Sequence, residues 1–258
     1  MFDLSEEFVF LTGAAGQIGE SSVNALLKQG ARVVAVDLDM LALQKTAERN
    51  QWDRKGVFCI ELDIRSEDAV EKAFGKILSQ AGRITSLVNN AGVSVFSPWE
   101  DRTREEIDWV CDVNIKGSLS CTNAFLRHRL GAEGQASIVN IASVYGVVSP
   151  DPRIYLDCDR KNSEIYGATK AGLIQITKYF AVHAAKYNVR TNSISPGGIV
   201  SSESPQGPMF QRAYGERCPM GRMGEVSELA GALVFLISKE ASYINGHNLV
   251  VDGGFTSW

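Results

Sequence analysis

Two hydrophobic periods alternate along the chain. Short runs that are apolar nearly throughout stand at 8–13 (FVFLTG), 31–37 (ARVVAVD), 56–63 (GVFCIELD), 84–92 (ITSLVNNAG), 136–143 (ASIVNIAS), 189–197 (VRTNSISPG) and 248–254 (NLVVDGG). Most are rich in Val and Ile and close on Gly, Asp, Asn or Ser. A strand covered on one face alternates apolar and polar positions, whereas one covered on both faces reads as a continuous apolar run. These segments therefore predict strands of a parallel sheet. Helix-period stretches lie between them, at 18–29, 39–50, 66–80, 103–129, 165–187 and 225–238. Gly30 follows the first as a C-cap, and Ser66 with Glu67 and Asp68 opens the third as an N-cap. Seven strands with intervening helices predict an α/β chain, a doubly wound and mostly parallel sheet with helices on both faces. No repeat, low-complexity tract or linker interrupts it, so residues 1–258 read as a single domain.

Composition narrows the classes of partner. The chain has 258 residues, 45% apolar and 22% charged, with a formal net charge of −4. With no basic tail or Lys/Arg cluster, nucleic acid is not an expected partner. No apolar run is long enough to span a membrane. The opening stretch MFDLSEEFVFLTG carries acids ahead of its apolar run and no basic leader, so a secretory signal is not expected and a cytoplasmic location is. Five cysteines (Cys59, Cys111, Cys121, Cys158, Cys218) are scattered singly and three histidines (His128, His183, His247) lie far apart. That spacing predicts reduced thiols and no metal site.

Ligands of a doubly wound sheet bind beyond the carboxyl ends of its strands, and those ends carry the candidate chemistry. In FLTGAAGQIGE, Gly13, Gly16 and Gly19 allow a tight turn and close approach to a pyrophosphate, held at a helix N-terminus with Gln17 and Ile18. This is the pattern of a Rossmann-type dinucleotide site. Asp37 ends the second strand 18 residues after Gly19. A carboxylate there accepts hydrogen bonds from the adenosine ribose hydroxyls and repels a 2′-phosphate, and Ala14 and Ala15 offer no positive charge. The expectation is NAD rather than NADP. Asp63 is placed to accept from the adenine amine and Ile64 to pack on the ring. Asn90, Ala91 and Gly92 end the fourth strand, where small residues let backbone run beside a cofactor. Tyr166 and Lys170, four apart in SEIYGATKAGL, share a helix face.

Taken in order, the glycine turn, Asp37, Asp63, NNAG, Asn114, Ser143 and Tyr166-x-x-x-Lys170 resemble the short-chain dehydrogenase/reductases, specifically their short single-domain branch, over nearly the whole chain. The resemblance implies hydride transfer between a nicotinamide and a secondary alcohol or ketone. It implies Tyr166 as general acid/base, Lys170 lowering the phenol's pKa and holding the nicotinamide ribose, and Ser143 orienting the substrate oxygen. Asn114 would hold a water that relays protons from Lys170. Pro196 and Gly197 would bend the chain past the cofactor, with Ile199 and Ser201 meeting the carboxamide.

Two features depart from that pattern. The turn reads T-G-A-A-G-Q-I-G, with its middle glycine one place early, as in the longer, two-domain epimerases. Ser143 and Tyr166 lie 23 residues apart, wider than the family pattern, which marks an inserted segment at about 147–163 bearing Asp151, Arg153, Tyr155, Asp157, Asp159, Arg160 and Lys161. Its wording, YGVVSPDPRIY, resembles a subgroup found with bacterial surface-sugar and flagellin-modification pathways. Arg153 and Tyr155 are candidate contacts to a polyhydroxylated or phosphorylated substrate. The stretch 200–222, with Met209, Phe210 and Tyr214, reads as a mobile lid whose apolar residues close over substrate.

The leading reading is an NAD-dependent oxidoreductase on a sugar-like alcohol or ketone. The alternatives are an NADPH-dependent 3-oxoacyl-carrier-protein reductase, a non-catalytic dinucleotide sensor and a nucleotide-sugar epimerase. Helices 103–129 and 165–187 carry apolar positions on more than one face; the resemblance implies that they pack across a subunit interface, so a homodimer or homotetramer is expected.

Overall fold

The computed structural model describes residues 2–53, 56–156, 161–201 and 206–258. Asp157, Cys158, Asp159 and Arg160 of the inserted segment, and 202–205 of the expected lid, lie outside the described residues. The sheet is seven-stranded and wholly parallel, in the order β3-β2-β1-β4-β5-β6-β7. Its strands are β1 (Phe8–Thr12), β2 (Arg32–Asp37), β3 (Val57–Glu61), β4 (Ser86–Asn89), β5 (Ala136–Ile141), β6 (Val189–Pro196) and β7 (Asn248–Val251). Each strand follows the expected run, and all but β2, which ends on Asp37, stop short of the run's polar end. Asn90 to Gly92 and Asp252 to Gly254 leave the ladder for turns, the latter with φ of 63° and 87° at Gly253 and Gly254. The chain reverses direction across the sheet between β1 and β4, where Val9 pairs with Ser86, and this opens the crevice a ligand can enter.

The helices are α1 (Gln17–Lys28), α2 (Met40–Arg49), α3 (Glu67–Ala81), α4 (Arg104–Cys111), α5 (Ser118–Arg129), α6 (Glu164–His183), α7 (Pro208–Arg217) and α8 (Ser227–Ile237). Apolar positions on both faces of the strands divide the interior into two layers. One packs Val9, Leu11, Val33 and Ala35 against Val23, Leu26, Leu233 and Leu236 of α1 and α8. The other packs Phe10, Val34, Leu87 and Ile138 against Phe74 of α3 and Cys121 and Phe125 of α5. Burial pushes the Cys121 thiol up to about 12, so it serves as a small apolar group. Among the described residues, no helix is long and apolar enough to cross a membrane.

The structure differs from the sequence pattern in two places. The span 103–129 is not one regular helix, because a π-helical stretch, Asp112–Gly117, separates α4 from α5. The 200–222 stretch is not all loop: Pro208 opens α7, which buries Phe210 and Tyr214. A third, smaller core forms there. Ile154 and Tyr155 of the inserted segment pack with Phe210, Ala213, Tyr214, Cys218, Met223 and Phe255.

Candidate active site

At the C-terminal rim of β1, β2 and β4 lies a cavity of about 740 Å³. It is lined by the glycine turn (Gly13, Gly16, Gln17, Ile18, Gly19), Asp37, Asp63, Ile64, Asn90, Ala91, Gly92 and Ile199. Gly13 has φ +68°, and a Cβ there would lie 2.8 Å from the Ala91 Cα. A Cβ on Gly19 would lie 2.0 Å from the Gly13 carbonyl oxygen, so the helix start closes on the strand end only without a side chain. The displaced glycine, Gly16, is the N-cap of α1, and no side chain caps that helix. Unclaimed first-turn amides at a helix N-terminus suit an anionic group. This turn and the cavity's size fit a dinucleotide.

Hydrogen bonds fix the rim. The Thr12 hydroxyl accepts from the amides of Asn90 and Ala91, both at 3.1 Å. Asn90 Nδ2 donates to the carbonyls of Thr12 and Gly13, both at 2.9 Å. Asp37 Oδ2 accepts from the Ala15 amide at 2.9 Å, and Oδ1 from the Asp39 amide at 3.2 Å. Asp63 is engaged more fully than the sequence predicts. Arg65 Nη2 lies 2.6 Å from its Oδ2, and those hydrogen bonds hold the carboxyl below the usual carboxylate range. Ile64 is buried, and Gly117 of the π-helical stretch closes on it so tightly that a Cβ there would lie 2.6 Å from Ile64 Cδ1. Arg65 and Trp109 also line the cavity. Neither was legible beforehand, since a single Arg and a single helical Trp carry no motif.

A second cavity of about 210 Å³ adjoins the first. It is lined by Ile18, Asn90, Gly92, Ile141, Ala142, Ser143, Tyr166, Lys170, Pro196, Gly197 and Ile199. Tyr166 arrives there because Ser163 caps α6, its Oγ accepting from the Tyr166 amide at 3.2 Å. Lys170 follows one turn on. Ser143 comes from the end of β5, and Gly146 lets the turn after it press onto α6, where a Cβ would lie 2.7 Å from the Lys170 carbonyl carbon. Burial pushes the Tyr166 phenol up, and a hydrogen bond with Ser143 acts against that push. Lys170 is 3% exposed. Its Nζ donates to the Ile141 carbonyl at 2.8 Å and lies 5.6 Å from the Tyr166 ring centroid. Burial lowers the ammonium to about 8.

Asn114 is wholly buried. Its Oδ1 accepts from the Val93 amide at 2.8 Å, and Nδ2 donates to the Val93 carbonyl and Thr169 Oγ1, both at 3.0 Å. A Cβ on Gly92 would lie 3.2 Å from Lys170 Nζ and 3.4 Å from Asn114 Oδ1. Glycine thus keeps open the gap between the cation and the amide. Ile199 lines both cavities. Ser201 lies beyond it, its amide donating to Gln206 Oε1 at 3.4 Å. Gln17 Nε2 donates to the Val200 carbonyl at 2.5 Å, crossing from the glycine turn to the segment after β6.

Of the four candidate substrate contacts, Ser143 lines the small cavity, whereas Arg153, Tyr155 and Phe210 line neither. Arg153 Nη2 pairs with Asp151 Oδ2 at 2.9 Å, and the same oxygen takes Arg217 of α7 at 3.0 Å. Tyr155 and Phe210 pack within the third core, their rings tilted by 57° with centroids 5.2 Å apart. An exposed Arg beside an Asp two residues earlier is satisfied locally, and an apolar ring is drawn to the nearest core.

The match to a family profile described as enoyl-(acyl carrier protein) reductase covers residues 13–256. A cyclopentanol dehydrogenase from Comamonas is 32% identical over 258 residues, covering 98% of each chain. The chain belongs to the short-chain dehydrogenase/reductase family. Its members catalyse NAD- or NADP-dependent oxidation of alcohols or the reverse reduction, and this chain is such an oxidoreductase. A short-chain dehydrogenase from Leptospira borgpetersenii, solved with bound NAD+, superposes with a TM-score of 0.88 at 37% identity, covering 98% of this chain and 94% of that one. A gluconate 5-dehydrogenase from Burkholderia cenocepacia, solved with NADP and tartrate, gives a TM-score of 0.89 at 28% identity, covering 100% and 98%.

Proposed function

We propose that this short-chain dehydrogenase/reductase interconverts a secondary alcohol and a ketone on a polyhydroxylated, sugar-like substrate, with NAD as its cofactor and Tyr166 as general acid/base. The observation that carries it is the convergence of Ser143, Tyr166 and Lys170 on a small cavity adjoining one sized for a dinucleotide. NAD, when bound, supplies the hydride acceptor. Gly13 and the α1 N-terminus would hold its pyrophosphate, Asp37 its adenosine ribose, and Gly92, Lys170, Pro196, Gly197, Ile199 and Ser201 its nicotinamide half.

The chain's own contribution is the proton. Tyr166 takes the hydroxyl proton from the alcohol, or returns it to the ketone oxygen, while Ser143 donates to that oxygen and fixes its position. Lys170, its Nζ 5.6 Å from the Tyr166 ring centroid, offers a buried ammonium whose positive charge favours the phenolate. Asn114 clamps Val93 and Thr169 and leaves, beside Gly92, the gap that a relay water needs. Asp63 is a weaker candidate for the adenine amine because Arg65 already engages its carboxylate.

The preference for NAD rests on charge. Among the described residues, the large cavity is lined by the carboxylates of Asp37, Asp39 and Asp63 and by one guanidinium, Arg65, itself paired with Asp63. An added 2′-phosphate would meet more negative than positive charge. The family profile's description favours a second reading, a carrier-protein reductase. Asp37 and the net charge of −4 oppose it, because such an enzyme prefers NADPH and docks an acidic carrier. The assembly proposed with this activity is a homodimer or homotetramer, supported by the exposed Tyr179 and Val182 of α6.

The test is Tyr166→Phe assayed beside the wild type on polyols, sugars, sugar phosphates and acetoacetyl thioesters, with NAD and NADP in parallel. The expected result is NAD-linked turnover of a polyol, a loss of about 100-fold or more in the variant, and unchanged NAD affinity. An unchanged rate in the variant removes the assignment of Tyr166; turnover of the thioester with NADPH alone replaces the reading with the second.

A further inference from the structure

The two cavities meet at a neck. Ile18, Asn90, Gly92 and Ile199 line both of them, so a dinucleotide with its adenosine half in the large cavity and its nicotinamide half in the small one crosses there. Beside this neck one side chain departs from the glycine pattern. With the middle glycine one place early, position 17 carries glutamine where the short-branch spacing has glycine and no side chain.

That side chain makes a long-range contact. Gln17 Nε2 donates to the Val200 carbonyl at 2.5 Å. Gln17 follows β1 and Val200 follows β6, and in the sheet β4 and β5 stand between those two strands. The bond therefore spans the interval occupied by the ends of β4 and β5, from which Asn90 to Gly92 and Ser143 emerge. Its donor is adjacent to Ile18 and its acceptor to Ile199, so it crosses beside the neck that these two share with Asn90 and Gly92.

Both ends of the bond are held. On α1, one turn after Gln17, Ser21 Oγ lies 3.5 Å from the Val226 carbonyl oxygen. The Val200 amide donates to the Gly224 carbonyl and the Gly224 amide to the Gly198 carbonyl, both at 2.9 Å. A Cβ on Gly224 would lie 2.9 Å from Ile199 Cδ1, so the two segments pack without room for a side chain. Gln206 braces both neighbours of Val200: its Nε2 donates to the Ile199 carbonyl at 3.2 Å, and its Oε1 accepts from the Ser201 amide at 3.4 Å. The Val200 side chain packs against the third core. An acceptor fixed in this way costs little further entropy to engage.

We infer that Gln17 is a positioning residue whose side chain straps the neck between the cavities, so that its bond to Val200 must open when a dinucleotide enters or leaves, and that it thereby sets the rate of cofactor exchange. The inference rests on the dinucleotide reading of the cavities and adds the residue that controls exchange. A strap is distinguishable from an ordinary ligand contact. A contact made only to bound cofactor slows departure alone, whereas a bond that must open for passage slows entry and departure together. ADP has no nicotinamide half and does not cross the neck, so a strap leaves its binding unchanged.

The experiment is stopped-flow fluorescence on wild type, Gln17→Leu and Gln17→Gly, with NADH or NADPH, whichever the wild type binds more tightly. Leucine keeps the bulk and removes the donor; glycine restores the family spacing. Both variants are expected to raise the association and the dissociation rate constants at least about fivefold, the net worth of one hydrogen bond, while the dissociation constant for ADP, measured by calorimetry, stays within about twofold of the wild type. Faster dissociation with unchanged association overturns the inference and makes Gln17 a direct cofactor contact, and so does a matching loss of ADP affinity. Unchanged rate constants in both variants overturn it and leave the dinucleotide reading intact. A wild type that binds ADP but neither dinucleotide removes that reading and the inference with it.

Discussion

Lys170 illustrates how one side chain joins stability to chemistry. Its ammonium sits among Gly92, Tyr166 and the Ile141 carbonyl with almost no access to water, and burial lowers it from 10.5 to about 8. Between those two values the unfolded chain holds more protons on this group than the folded one. The group's contribution to stability is therefore least favourable below about pH 8 and improves as pH rises toward 10.5. Denaturant midpoints measured for the apo-protein from pH 7.5 to 9.5 should show that component in wild type and lose it in Lys170→Met; an identical pH profile in the two would show that the lysine is not desolvated. Asp37 poses the matching question for cofactor choice. It holds the Ala15 and Asp39 amides while facing the large cavity. Asp37→Ala should weaken NAD more than NADP and move the ratio of their kcat/KM values by tenfold or more toward NADP. An unmoved ratio would assign cofactor choice elsewhere on the rim.

Single elements owe their shapes to close approaches that only small residues permit. The start of α1 meets β1 so tightly that Gly19 has no room for a methyl group. Gly19→Ala should raise the dissociation constant for NAD by at least tenfold and lower thermal stability, both read from one set of melts with and without NAD; an alanine variant with normal affinity would show that the turn can shift without consequence. Gly146 performs the same service between the turn after β5 and α6, which is how Ser143 comes near a tyrosine 23 residues later in the chain. The π-helical stretch between α4 and α5 carries Asn114 into the interior, where its amide is consumed by Val93 and Thr169. The inserted segment and α7 form a unit of their own. Asp151 bridges to Arg217, Tyr155 packs against Phe210 in a tilted pair, and the Tyr214 hydroxyl accepts from the Gly198 amide at 2.6 Å.

For the whole molecule, α6 presents Tyr179 and Val182 at 55% and 73% exposure on the side away from the sheet. Apolar groups so placed on a helix whose other face holds the reacting residues suit the self-complementary contact of the proposed two-fold assembly. Solution scattering should give a dimer or tetramer, and Val182→Asp should shift it toward monomer; a monomeric wild type would remove the proposed assembly. The strand runs, the glycine turn, Asp37 and the Tyr166–Lys170 pair were legible in the sequence because each is a local pattern: a doubly buried strand is apolar in every position, and one helical turn spans four residues. Their meeting around two adjoining cavities was legible only through the ordered resemblance to a family. The sequence by itself determined the alternation of strands and helices and the residue types at the strand ends. Tertiary structure alone decided what the inserted segment does with its polar residues. Arg153 turned to a neighbouring carboxylate, Tyr155 joined a third core, and Asn162 came to rest between Ser94 and two phenols. Side chains in an irregular segment follow no period, so their partners are chosen by the elements that pack around them.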